Sequence, residues 1–172
     1  MESPSPGISL PASTFVHLRA ALTQSCGERQ AVQALRTAGF EAGAPIADLL
    51  ATEAEAAAGT FWTRLRAHFE HSGWGSLTHT APHPGVEFLS SGDWNEADAA
   101  SGGPGASCGF TTGLLSRVLS TVASAPVSVL EIECRSRGDE RCAFAIGSEA
   151  TLHRLYGHLV EDEALDEALA GL

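Results

Sequence analysis

The chain has 172 residues, of which 44% are hydrophobic, enough for one domain with its own core and too apolar for wholesale disorder. Its formal net charge is −11 and its ten basic residues are all Arg, which excludes the basic face that non-specific nucleic-acid or anionic-membrane binding requires. No stretch approaches the ~18 apolar residues of a membrane span, and the opening "MESPSPGISLPAS" lacks the basic and apolar parts of a signal peptide. The chain is therefore expected to be cytoplasmic, where clustered cysteines signal metal or redox chemistry more often than a stable disulfide.

Residues 1–11 are rich in Pro and Ser and read as a flexible tail, followed by a single domain over 12–172. "PASTFVHLRAALTQ" predicts a helix with Phe15, Leu18 and Leu22 on one face. "GERQAVQALRTAGF" predicts a second, with Val32 and Leu35 on one side and Gly39 as its stop. "ADLLATEAEAAAGTFWTRLRAHFEHSG" is mostly helical with a break at Gly59, and Phe61, Leu65 and Phe69 form an apolar stripe beside Trp62. "WGSLTHT" and "GVEFLSSGDW" alternate as two short strands joined around "APHPG". "NEADAASGGPGAS" is small, acidic and expected to be a flexible loop. "FTTGLLSRVLSTVA" is a helix with a wide apolar face of Leu114, Leu115, Val118, Leu119 and Val122. "PVSVLEIECRSRGDERCAFAIG" is a hairpin turning at "RGD". "TLHRLYGHLVEDEALDEALAGL" closes the chain as an acidic helix docked by Leu152, Leu155 and Leu159. Helices first, then strands with helices interleaved, indicate an α+β fold with the N-terminal helices packed on a small antiparallel sheet.

The hairpin sets Cys134 and Cys142 symmetrically about Gly138, so a symmetric turn makes them face each other. Glu131 lies three residues before Cys134, and Cys108 precedes a helix, whose N-terminus favours a thiolate. Three thiolates and a carboxylate would complete a closed tetrahedral site, structural rather than catalytic because no position is left for water or substrate. One obstacle is local: along an ideal strand Glu131 and Cys134 point to opposite faces, so they can meet only if the strand bulges near Ile132–Glu133. Spacing alone leaves a metal site, inert buried thiols and a disulfide all open.

Cys108, Phe110, Gly113, Val127, Val129, Glu131, Cys134, Gly138, Asp139, Cys142 and Phe144 fill the pattern of a Cys, a Phe, a helix Gly, an apolar helix and "V.V.E..C...GD..C.F". In these positions the chain resembles the vinyl-4-reductase (4VR) domain family, most specifically over residues 73–147, which include "GWGSLTH". The resemblance implies the α/β fold shared with the sensor domains of phenol- and toluene-responsive bacterial activators and, more distantly, with a Golgi trafficking-complex subunit. It also implies structural zinc held by Cys108, Glu131, Cys134 and Cys142. Cys26 matches nothing in the pattern.

The resemblance further implies a pocket for a hydrophobic or aromatic small molecule. The large residues available to converge between helices and sheet are Phe61, Trp62, Leu65, Phe69, Trp74, Phe88, Trp94 and Phe110, with His79 as the polar candidate; ordinary core packing is the competing reading for each. No Gly-rich phosphate loop, nucleophile elbow or His-Glu-x-x-His segment is present, and His68 and His71 of "HFEH" read as a polar surface patch. No nicotinamide, flavin or iron–sulfur motif accompanies the family's name, so intrinsic reductase activity is not expected. The leading expectation is a zinc-stabilised sensor domain that reports through homodimerisation or docking. The alternatives are a 4-vinyl reductase or tetrapyrrole-carrying accessory protein of (bacterio)chlorophyll synthesis, and a scaffold subunit without ligand.

Overall fold

A computed structural model describes residues 10–11, 13–54, 61–100, 105 and 107–172. Most of the tail read at residues 1–11 and the break read at Gly59 lie outside these residues. Among the described residues no helix is long and apolar enough to cross a membrane.

Helices α1 (Ser13–Cys26), α2 (Glu28–Ala42), α3 (Ala44–Ala54) and α4 (Phe61–His71) lead to strands β1 (Thr78–His83) and β2 (Val86–Ser91). Helix α5 (Gly109–Ala123), strands β3 (Ser128–Glu133) and β4 (Cys142–Gly147), and helices α6 (Glu149–Val160) and α7 (Leu165–Ala170) follow. The sheet has the order β1-β2-β4-β3, and every neighbouring pair is antiparallel. The α+β expectation holds.

The strand period of two sorts side chains into two layers. Leu89, Val129, Cys142, Phe144 and Ile146 point to a core shared with α3, α4 and α5. Val86, Phe88, Leu130, Ile132 and Ala145 point the other way, onto α6 and α7. The sheet is thus covered on both faces, and β4, central and sandwiched, is buried from Cys142 to Ile146. The single closing helix read at residues 151–172 is two helices, with Asp162 in the left-handed region at φ 60° between them.

Helix α5 is the central helix, and the predicted face of Leu114, Leu115, Val118 and Leu119 is buried. Its contact with α2 depends on two glycines. A Cβ on Gly113 would lie 1.9 Å from the Arg36 carbonyl oxygen, and one on Gly39 would lie 2.0 Å from that of Phe110. Gly39 therefore does not stop α2, which runs on to Ala42; it lets two helix backbones touch. The buried stripe of α2 is Ala31, Leu35 and Gly39, four apart, and Val32 is exposed rather than paired with Leu35. Helix α1 has no buried residue, and Leu18 of its predicted face is exposed.

The predicted strands shift at their ends. "WGS" precedes β1, and β2 stops at Ser91, so Asp93 and Trp94 lie in a turn. There Asp93 Oδ1 accepts from Ser76 N and Ser76 Oγ, both at 2.8 Å, and from Ser91 Oγ at 2.9 Å. The Ser76 hydrogen bonds hold its carboxyl below the usual value.

Candidate functional site

Strand β3 carries the bulge that the glutamate–cysteine spacing demands. Glu131 pairs with Phe144 and Glu133 with Ala143, so two residues of β3, Ile132 and Glu133, oppose one of β4. The extra residue returns Cys134 to the face of Glu131. Beyond the bulge the register is symmetric about Gly138, as the hairpin reading expects. The turn is more elaborate than "RGD" alone. A single 3₁₀ turn, Arg135–Arg137, follows Cys134, and Gly138 takes φ 103°, which side chains disfavour. Asp139 then reaches back, its Oδ2 accepting from Cys134 N at 2.7 Å and from Arg137 Nη2 at 2.6 Å. Gly138 and Asp139 thus close a knuckle that presents the Cys134 sulfur inward.

Cys108 sits just before α5, and its backbone N–H donates to Glu131 Oε2 at 2.9 Å. The ligand atoms of Cys108, Glu131, Cys134 and Cys142 all lie within 4.8 Å of one another, a group that can hold a metal ion. The Cys108 and Cys142 sulfurs are 3.8 Å apart, close to the ligand–ligand edge of a tetrahedron with ~2.3 Å metal–sulfur bonds. All four cysteines of the chain are free thiols, and the three in this group are buried whereas Cys26 is exposed.

The electrostatics of the group ask for a cation. Hydrogen bonds from Cys108 and Cys142 drive the Cys134 thiol far below its ordinary value, and the bond with Cys134 drives Cys108 far above it. Cys142 is drawn down by Cys108, but Cys134 and burial leave it at about 12. Burial, and then the charge on Cys134, raise Glu131. Four acidic groups in one pocket thus keep their protons unless a metal takes their place. Glu131 Oε1 is buried and has no hydrogen-bond partner among the described residues, an expensive vacancy for a carboxylate oxygen.

Two further groups support this centre and carry no signal in local spacing. Ser107 Oγ lies 3.2 Å from the Cys134 sulfur and donates to Ser136 Oγ at 2.7 Å. Glu96, in the loop read as flexible and acidic, is only 2% exposed. Its Oε1 accepts from Phe110 N at 2.8 Å, and its Oε2 accepts from Thr111 N at 2.7 Å and from the Thr111 hydroxyl. That end of the loop is fixed because the carboxylate caps the open first turn of α5. Burial pushes Glu96 up to about 7, against the pull of the Thr111 hydrogen bonds. A carboxyl raised on folding contributes most stability below its unfolded value, near 4.5, and loses that contribution as pH rises through about 7. Denaturant melts of the wild type are therefore expected to lose roughly 3 kcal/mol between pH 4.5 and 8 that Glu96→Gln does not lose.

The candidate pocket residues divide into three groups. Phe61 and Trp62 line a cavity of about 390 Å³, together with Leu119, Val122, Val127 and Ile146. His79 stands beside it, its ring stacked on Trp62 at 3.9 Å and its Nε2 hydrogen-bonded to Glu87 Oε2. Leu65 and Phe69 are fully buried, and Phe69 packs against Trp74 and Trp94. Trp74 stacks on Phe110 at 5.8 Å, and Phe15 touches both, so this aromatic cluster is filled by its own rings. Trp94 is wholly buried and donates from Nε1 to Thr111 Oγ1 at 2.8 Å. Phe88 packs on the opposite face of the sheet, toward α6 and α7, and does not join the others. Pro84, Gly85 and Glu87 line the cavity too; sequence reasoning missed them because the β1–β2 turn folds over the end of α5.

No curated protein matches the chain. Among solved structures, the phenol-responsive sensory domain of the transcription activator PoxR with phenol aligns at TM-score 0.67 and 17% identity, over 82% of this chain and 76% of that one. A vinyl-4-reductase family protein from Methanocaldococcus jannaschii aligns at TM-score 0.55 and 17% identity, over 81% and 82%. A trafficking protein particle complex subunit 3 from Naegleria fowleri, covalently bound to palmitic acid, aligns at TM-score 0.63 and 11% identity, over 79% and 91%. These likenesses establish a shared fold. The family model of the vinyl-4-reductase (4VR) domain matches residues 92–148, the segment that runs from the β2 turn through α5 and both strands of the cysteine hairpin, and the family resemblance read from the signature residues is thereby shown.

Proposed function

We propose that this chain is a zinc-stabilised binding domain for a hydrophobic or aromatic small molecule, a sensor rather than a reductase. The observation that carries the reading is the relation of α5 to its two ends. Its N-terminus meets the Cys108–Glu131–Cys134–Cys142 group, and its last turn, Leu119 to Ala123, walls the apolar cavity. Zinc fits the donor set of three sulfurs and a carboxylate, and it would supply the positive charge that lets the thiols ionise. With four protein ligands it would hold helix to hairpin and take no part in a reaction. The cavity volume falls within the ~300–1,000 Å³ of small-molecule sites, and its lining is mainly apolar. The likeness to a phenol-responsive sensory domain supports an aromatic ligand.

The test is a titration of simple aromatics and tetrapyrroles into purified protein, followed by calorimetry and absorbance. Saturable binding of an aromatic is the expected result. A pigment-specific absorbance shift would favour the tetrapyrrole alternative, and no binding of either, with capture of a protein partner, would favour a scaffold. Trp62→Ala is expected to weaken aromatic binding by about tenfold, a scale set by one lost ring contact, without releasing metal. Phe69→Ala, a wholly buried position, is expected to lower the melting temperature whether or not ligand is present.

A further inference from the structure

We infer that the cavity at the end of α5 selects its ligand by head group, taking an aromatic or aliphatic body that carries a neutral hydrogen-bond donor or an ammonium, and rejecting carboxylates. The inference rests on the reading of this cavity as the ligand site. Its lining is Pro, Gly, aliphatic and aromatic residues with two polar side chains, Glu87 and Ser148, and Glu87 is the single charged one. Ser148 is engaged, its hydroxyl accepting from Thr151 N at 3.1 Å as the cap of α6.

Glu87 is held in place from one side only. His79 occupies Oε2 and is itself fixed face to face on Trp62, so the carboxylate has a defined orientation beside an aromatic wall. Among the described residues no hydrogen bond reaches its Oε1, and the side chain keeps 43% of its surface exposed. An ionised carboxylate accepts and does not donate, so the ligand atom opposite it must carry a hydrogen. A second carboxylate there would meet like charge beside low-dielectric walls, within a chain whose net charge is −11. Helix ends do not reverse this preference. The last turn of α5 brings partial negative charge to the cavity, while the first turns of α4 and α6 bring partial positive charge. The α6 end is already met by Ser148 and Glu149.

The experiment uses three probes of one shape, 2-phenylethanol, 2-phenylethylamine and 3-phenylpropionate, titrated into the full chain at pH 7 and 0.15 M salt by ligand-observed NMR. The expected result is binding of the alcohol and the amine, each at least about tenfold tighter than the acid, a difference of about 1.4 kcal/mol. Glu87→Gln, which keeps an acceptor oxygen and removes the charge, is expected to bring amine and acid within about threefold of each other. Trp62→Ala is expected to weaken all three together, separating cavity binding from loose attraction of the amine to an acidic protein. If the alcohol fails to bind, or binds equally to Trp62→Ala, the cavity is not the ligand site and the reading beneath the inference fails. If the alcohol binds in the cavity but wild-type protein holds the acid as tightly as the amine, head-group selection is overturned and the reading of the cavity stands. An unchanged amine-to-acid ratio in Glu87→Gln overturns the role of Glu87 directly, and if that variant does not fold the wild-type ratio still decides.

Discussion

Cys142→Ser is expected to lose the metal and to melt about 10–20 °C below wild type, taking ~5 kcal/mol for an opened structural site and ~2–4 °C per kcal/mol for a domain of this size. Wild-type protein purified without chelator is expected to hold one zinc per chain by elemental analysis. The loss has two physical parts. The metal ties the start of α5 to the hairpin, and its departure leaves buried thiols and Glu131 Oε1 without counter-charge or partner. Cys26→Ser is the control, because that thiol is exposed and its sulfur touches only backbone carbonyls of Leu22 and Gly27. It is expected to keep both metal and melting temperature. Metal-free wild-type protein, together with a Cys142→Ser variant that melts like it, would sink the zinc site.

Gly113→Ala is expected to destabilise the fold by at least ~3 kcal/mol, although alanine is worth ~1 kcal/mol more than glycine in an isolated helix. The new methyl would meet Arg36 O at 1.9 Å, Arg36 C at 2.8 Å and Phe40 N at 2.9 Å, all backbone atoms that no rotamer change can move. Helices α2 and α5 would have to separate, and the layer behind them would repack. Gly157→Ala gives the contrast: it lies in α6 with nothing within 4 Å of the added methyl, so helix propensity alone acts and a gain of up to ~1 kcal/mol is expected. Urea melts of the two variants check the pair. A Gly113→Ala protein as stable as wild type would show that the close crossing is not required.

The metal-ligand group was readable because its chemistry is local in sequence. Three of its members lie within residues 131–142, and the alternation rule itself exposed the need for a bulge, which β3 supplies at Ile132–Glu133. The apolar face of α5 was readable for the same reason, since one period governs it. Gly39 was misread because a glycine late in a helix has the same local signature whether it ends the helix or admits another backbone. Phe88 and Leu89 both looked like core, and only the sheet's two coverings decide that they face different layers. Glu96 had no signal, because its partners Phe110 and Thr111 lie fourteen and fifteen positions away across a loop. The cavity was half legible: its aromatic wall follows helix spacing, while Pro84, Gly85 and Glu87 arrive through a turn whose direction no periodicity encodes.

The open end of α5 has a bearing on the order in which the molecule assembles. Its first amides are satisfied by carboxylates from distant segments, Cys108 by Glu131 twenty-three positions ahead and Phe110 and Thr111 by Glu96 behind, and the residue before the helix provides no side-chain cap. A nascent α5 therefore frays at this end until both β3 and the 93–98 turn have docked, and its first turn cannot act as an early nucleus. In the native protein the same wiring makes these three amides reporters on long-range structure. Their exchange with deuterated solvent requires release of the distant acid that holds each one, so they are slow for as long as the hairpin and the turn stay in place, and they quicken when either one lifts.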